Sequence, residues 1–480
     1  MTNLRSKTII AALWSVVGGG GRGVIRFVSN LILTRLLFPE AFGQIATAMV
    51  IMTLVQLFSD TGIKTALIQN LRGNTPQFIN TAFIISLVRS VVLFVVVLVF
   101  VQPLASFYNQ PVLKELLLIM SFSFLAEGLL NPALPILIKT LKIQRQVIYS
   151  IGSQFAGFIA TLVLVYNFRS VNALAVGFLL TSIFRVFFSY IVIPYKPNLS
   201  WDKEAWAELF NFGKYIILNT MIAWAVMNLD RLIIGRVLNM EQAGFYSIAI
   251  YIGIFISEVL SQVFAQSYFP AISSLGGDVG KVQQVYSKTL GVVLSFVIPG
   301  IMLIALFSSE IISLLYDPRY QLAGVALFWV ALKSMVNVIS DVQSGTLIAL
   351  GKPKYVTTIN SLGLALLLFT LPEITARYGL VGSGVTIFGL SLILGVLQSG
   401  TLIIFMDFQP RIVLKPWFQL IALSFAMACV YQMLMLVGQF IQLPQFLLMF
   451  LMGLVSLFLV LILNRQLGTE LQNIAFSRVG

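Results

Sequence analysis

With 59% hydrophobic and 10% charged residues over 480 positions, and a mean hydropathy of +0.96, this is a polytopic helical membrane protein and not a soluble domain. A formal charge of +13 would suggest nucleic acid in a soluble chain, but most lysines and arginines here fall in short loops, where they set topology. The absence of histidine and the single cysteine, Cys429, exclude an intrachain disulfide and a cysteine metal cluster and remove the commonest proton shuttle. No cofactor and no nucleic-acid partner are expected.

The first apolar stretch, 10–37, is too long for a cleaved signal peptide and lacks a small-x-small exit. It carries Arg22, Arg26, Ser29 and Asn30 in mid-helix. At ~1.5 Å per residue, Arg22 lies roughly 22 Å beyond Lys7 and about 20 Å short of Arg35, too deep for snorkelling to reach either interface. Spacings of four and three place Arg22, Arg26 and Ser29 on one face. A charge at that depth costs at least ~2.5 kcal/mol, so the face should meet a watery or protein-lined interior. Gly18 to Gly21 and Gly23 invite a phosphate-loop reading, but no Gly-Lys-Ser/Thr follows and no strand precedes, so close helix packing or local flexibility is expected.

Further spans are expected at 41–68, 79–107, 112–138, 146–168, 171–195, 211–238, 241–272, 285–307, 318–350, 355–376, 378–406, 416–437 and 443–463, fourteen in all. Pro132, Pro135 and Pro299 mark kinks. Eighteen basic residues fall on one set of alternate loops and six on the other, which puts both termini in the cytoplasm. The longest extramembrane piece, around Trp201 to Phe210, places Trp201, Ala205 and Leu209 on one face and is expected to lie flat on the cytoplasmic leaflet.

The first helix and its turn recur 201 positions later. Leu31, Ile32, Arg35, Leu37, Glu40 and Gly43 reappear without a gap as Leu232, Ile233, Arg236, Leu238, Glu241 and Gly244. An even number of spans per copy keeps their orientation, so an all-α architecture of two parallel six-helix lobes is expected. The divisions are 1–195 for the first lobe, 196–210 for a cytoplasmic interfacial connector, 211–408 for the second lobe, and 409–480 for two further helices and a tail.

Six basic side chains fall within spans: Arg22, Arg26, Arg89, Arg185, Arg231 and Lys333. The deep acids are Glu127, Asp230, Glu258 and Asp341, with Asp60 nearer an end. Such charges mark a pathway or pair structurally between helices; Arg231 has Asp230 beside it for local pairing. Lys333, Asn337, Asp341 and Ser344 form one polar face, either a cavity wall or a set of interhelical partners.

Three segments carry a resemblance: Arg35-x-Leu-x-x-Glu-x-x-Gly, Phe58-Ser59-Asp60-Thr61-Gly62 leading to Ala66-Leu67-Ile68-Gln69, and Asn228 to Gly235. In these, and in length and two-lobed duplication, the chain resembles the polysaccharide-transporter family of the multidrug/oligosaccharidyl-lipid/polysaccharide flippase superfamily. The resemblance implies a flippase moving undecaprenyl-diphosphate-linked oligosaccharide repeat units from the cytoplasmic to the periplasmic leaflet of a bacterial inner membrane. It also implies two lobes around a central cavity, membrane lipids as surroundings, and the pathway's polymerase and chain-length machinery as partners. Arginine's planar fork suits a lipid diphosphate, so Arg22, Arg26, Asn30, Arg89, Arg185, Arg231 and Lys333 are the expected substrate-binding residues. A cation-drug antiporter would want an acidic interior; a polymerase or ligase would want a large external loop, and none exceeds about ten residues. If an ion drives transport, the carrier is a carboxylate, with Glu258 first, then Glu127; Asp341, two turns from Lys333, is the poorer candidate.

Overall fold

The computed structural model describes residues 2–57, 63–257, 268–276, 278–441, 448 and 451–455, and within them every regular element is a helix. Prolines and left-handed caps set the helix ends. α1 (Thr2–Leu36) stops ahead of Pro39, which opens α2 (Pro39–Leu57). α3 (Ile63–Gln69) and a 3-10 turn follow, and Asn70 caps the turn by accepting the Arg72 N–H at 2.8 Å. Pro76 and Pro111 sit at the first positions of α4 (Pro76–Tyr108) and α5 (Pro111–Gly128). Asn109, with φ of 52°, turns the chain between them.

The kink expected at Pro132 and Pro135 is a full break. α5 ends at Gly128 and α6 (Leu134–Lys139) restarts the span. Asn131 secures the freed backbone: its side chain donates to the Ile193 carbonyl at 2.7 Å and accepts from the Ala133 N–H at 3.0 Å. α7 (Ile143–Phe168) and α8 (Val171–Val192) pack through Gly157 against Thr181 and Gly177 against Thr161, small residues that let the backbones close. Gly18 and Gly21 of α1 work the same way: a Cβ on Gly18 would lie 2.6 Å from Val147, and one on Gly21 2.8 Å from Ile151, both on α7.

α9 (Lys203–Val237) begins within the piece expected to form the connector. Asp202 caps it by accepting the Ala205 N–H at 2.9 Å, and from there it runs unbroken through the segment expected as the seventh span. Ala205 and Leu209 are buried against Ile63, Ala66, Leu67, Phe78 and Ala82, while Trp201 and Trp206 are exposed. Arg72 pairs with Glu204 and Glu208, and Lys139 donates to the Asn70 carbonyl at 2.6 Å, at the same junction. Because α9 packs on α2, α3 and α4, the first compact unit extends to Gly244 and the second runs from Phe245.

Within the first unit the repeat makes a reciprocal contact. A Cβ on Gly43 would overlap the Met240 carbonyl oxygen, and one on Gly244 would overlap the Pro39 carbonyl oxygen. Positions 39 and 240, and 43 and 244, are both 201 apart, so each copy presents the same patch to the other, as in an isologous interface. The start of α2 and the start of α10 (Met240–Gly253) meet there with glycine alone fitting.

The second unit holds α11 (Phe269–Ser273), α12 (Val279–Val292), a π-helical turn at 293–297, α13 (Ile298–Leu306), α14 (Ser308–Leu315), α15 (Ala323–Ala349), α16 (Pro353–Phe405) and α17 (Pro410–Ile441). The π turn sits directly before Pro299, where a kink was expected. Gly379, with φ of 62°, breaks α16 at the start of the second of the two spans expected at 355–376 and 378–406. Among the described residues eight helices are long and apolar enough to cross a bilayer, which makes this a multi-pass membrane protein.

Candidate functional site

The breaks in the first unit open a cavity of about 520 Å³. α1 contributes Arg22, α2 Gln56, α3 Lys64, α4 Arg89, α5 Glu127, α7 Tyr149 and Ser150, and α8 Arg185. Among the described residues, four basic groups against one carboxylate give the lining a formal +3. Each arginine reaches the cavity from a different helix, and each is anchored.

The Arg22 guanidinium donates to Ser150 Oγ at 3.0 Å, and its carbonyl accepts from Gln154 Nε2 at 3.4 Å, so α7 holds both ends of the residue. Arg89 donates to the Gln56 carbonyl at 3.3 Å. Gln56 Nε2 in turn donates to Glu127 Oε2 at 2.8 Å, and Arg185 pairs with Glu127 Oε1 at 3.2 Å. A chain therefore runs Arg89, Gln56, Glu127, Arg185 across α4, α2, α5 and α8. Tyr149 lines the cavity together with Arg185. Gly128 makes room beside this chain, since a Cβ there would strike the Ser90 hydroxyl.

The cavity thus gathers Arg22, Arg89, Arg185 and Glu127 from the expected set. Arg26 is exposed and Asn30 is buried, and neither lines it. Arg26 shares Arg22's face but lies one turn, about 6 Å, further along. Asp230 is buried, yet it accepts from the Arg231 backbone N–H at 2.8 Å and leaves the Arg231 Nε buried without a hydrogen bond. Lys333 and Asp341 belong to the second unit, with Asp341 exposed. Glu258 and Asp60 lie outside the described residues. Sequence reading passed over Gln56, Tyr149 and Ser150, which are neutral; Gln56 alone carried a signal, as an amide in an apolar span.

Residues 32–323 match the family described as polysaccharide biosynthesis protein, well over half of the chain. The chain belongs to that family. It is 23% identical to the lipopolysaccharide biosynthesis protein WzxC of Escherichia coli (strain K12), over 66% of this chain and 65% of that protein. It is 23% identical to the succinoglycan biosynthesis transport protein ExoT of Rhizobium meliloti (strain 1021), over 51% of this chain and 50% of that protein. Both matches cover less than two thirds of the relative's own length. Among solved structures, the lipid II flippase MurJ in an inward closed conformation superposes with a TM-score of 0.73 at 14% identity, covering 96% of this chain and 99% of that one. The polysaccharide biosynthesis chain accordingly has the MurJ fold.

Proposed function

We propose that this protein is a flippase for undecaprenyl-diphosphate-linked oligosaccharide repeat units, carrying them from the cytoplasmic to the periplasmic leaflet of the bacterial inner membrane with both termini cytoplasmic. It is a transporter and not an enzyme, with lobes 1–195 and 211–408 rocking about the site. The observation that carries this reading is the cationic cavity, where three arginines from three helices converge with Lys64. A diphosphate presents clustered acceptor oxygens, and guanidinium forks match them. A volume of about 520 Å³ lies within the ~300–1,000 Å³ of small-ligand sites, enough for a diphosphate and its first sugars. The rest of the glycan extends beyond the site, and the polyprenyl tail stays in lipid. WzxC, ExoT and MurJ carry names from lipopolysaccharide, succinoglycan and lipid II handling, which supports a lipid-linked glycan as cargo.

The test is surface glycan in cells whose only copy is mutated, with membrane levels of the protein measured in parallel. Arg22→Ala is expected to cut export about ten- to a hundredfold, as loss of charge-assisted hydrogen bonds predicts. Arg22→Lys keeps the charge without the fork and should fall between. Wild-type export by Arg22→Ala at normal membrane levels would defeat the reading.

A further inference from the structure

A carboxylate inside an anion site works against its ligand, and among the described residues Glu127 is the one acid lining the cavity. Nor is it a loose bystander. Gln56 Nε2 fixes one oxygen at 2.8 Å, and the other meets Arg185 at 3.2 Å. The two partners differ in how they can respond. Glu127 is 23% exposed and tied to α2, whereas the Arg185 side chain is 47% exposed and reaches across from α8. Of the pair, Arg185 is the member free to turn towards a ligand.

We propose that Glu127 is a resident counterion that occupies Arg185 while the cavity is empty and exchanges it for the anionic head of the cargo. The exchange rests on the flippase reading above. When a diphosphate enters, its oxygens take the Arg185 fork, and Glu127 remains placed by Gln56. When the head leaves, Glu127 recaptures Arg185 and so disfavours rebinding. Ionic exchange of this kind keeps the guanidinium paired at both stages, while the Gln56 amide still hydrogen-bonds the carboxylate that has given it up. It also sets affinity: a transporter must bind its cargo firmly enough to load and loosely enough to release, and a competing internal anion shifts that balance towards release.

The experiment uses the purified full-length protein in nanodiscs, with undecaprenyl diphosphate as probe and uncharged undecaprenol as control, alongside flipping rates in vesicles. Glu127→Gln keeps the size and the contact with Gln56 but removes the competing charge. It is expected to bind undecaprenyl diphosphate about two- to fivefold tighter, the range of a partly exposed ion pair, while its flipping rate at saturation falls. On an Arg185→Ala background the same change should do nothing, because the exchange partner is gone. Unchanged or weaker binding by Glu127→Gln overturns the proposal, and so does tightening that persists without Arg185, which would make Glu127 a mere background charge. If Glu127→Gln does not fold, Glu127→Asp draws the carboxylate back by one methylene and is expected to tighten binding less, in the same direction; no tightening there also overturns it. Wild-type protein that fails to prefer the diphosphate over undecaprenol would instead sink the flippase reading itself.

Discussion

The two compact units bury different chemistry. The first, 1–244, assembles Arg22, Arg89, Arg185 and Glu127 around one cavity and buries Asp230. The second, 245–480, buries no charged side chain among its described residues; its interior polar groups are neutral. Gln343, fully buried, donates to Ser399 Oγ at 2.8 Å, and Trp417 Nε1 donates to the same oxygen at 2.9 Å. Tyr268 and Thr346 share a hydrogen bond of 2.6 Å. Neutral hydrogen bonds within a membrane protein hold helices together, whereas retained charges cost too much to keep for cohesion alone. Under the flippase reading proposed above, recognition falls to the first unit and cohesion to the second unit's polar interior.

The largest effect should come from testing that division directly. Arg185→Ala is expected to cut export about ten- to a hundredfold. Lys333→Met, in the second unit, should change it by less than about threefold. Quantified surface glycan at matched protein levels decides the matter. Equal losses would mean that the second unit also holds an anion, as the polar face of Lys333 to Ser344 first suggested.

Much of this was legible in the residues. Hydropathy marked a helical, multi-pass chain, and Pro132, Pro135 and Pro299 marked where helices break or bend, because proline acts on the backbone locally. The 201-residue repeat was visible, and its reciprocal contact at Gly43 and Gly244 gives the two glycines a shared steric reason. Arg22, Arg89, Arg185 and Glu127 stood out as charges in apolar spans. Their convergence did not, since the register between helices far apart in sequence is fixed by packing and leaves no local pattern. Glu127 shows the cost: its partner Arg185 is supplied by α8 across 58 positions, and no spacing along α5 points to it. For the same reason neutral Tyr149 and Ser150 went unnoticed, being ordinary residues until α7 is laid against α1 and α8.

A second test sets a glycine that cannot change against one that can. A Cβ at Gly43 would overlap the Met240 carbonyl, so Gly43→Ala must push the starts of α2 and α10 apart. Overpacking of that kind costs about 1–3 kcal/mol. Gly400, inside α16, has nothing within 4 Å of a Cβ, and Gly400→Ala should stabilise by about 0.5–1 kcal/mol through lower chain entropy. Thermal unfolding of the two variants in detergent should therefore move in opposite directions. A neutral Gly43→Ala would show that the reciprocal contact opens without resistance.

The smallest effect is expected at Gln343, and it bears on what the second unit's polar groups are for. The Gln343 Oε1 atom is buried and accepts no hydrogen bond, while Nε2 donates to Ser399 and, more distantly, to the Tyr286 hydroxyl at 3.4 Å. Gln343→Leu removes that unsatisfied oxygen together with the good bond. Ser399 Oγ still accepts from Trp417 and still donates to the Gly395 carbonyl at 2.9 Å, so no new orphan is left there. The loss of one good and one long neutral bond, the second from the buried Tyr286 hydroxyl, is offset in part by relief of the unpaired acceptor, and the net change in stability should be about 1 kcal/mol. Export should be unaffected. If Gln343→Leu instead abolished export while melting normally, the unpartnered oxygen would be a functional acceptor, and the second unit's interior would have to be counted as part of the transport machinery and not only as its frame.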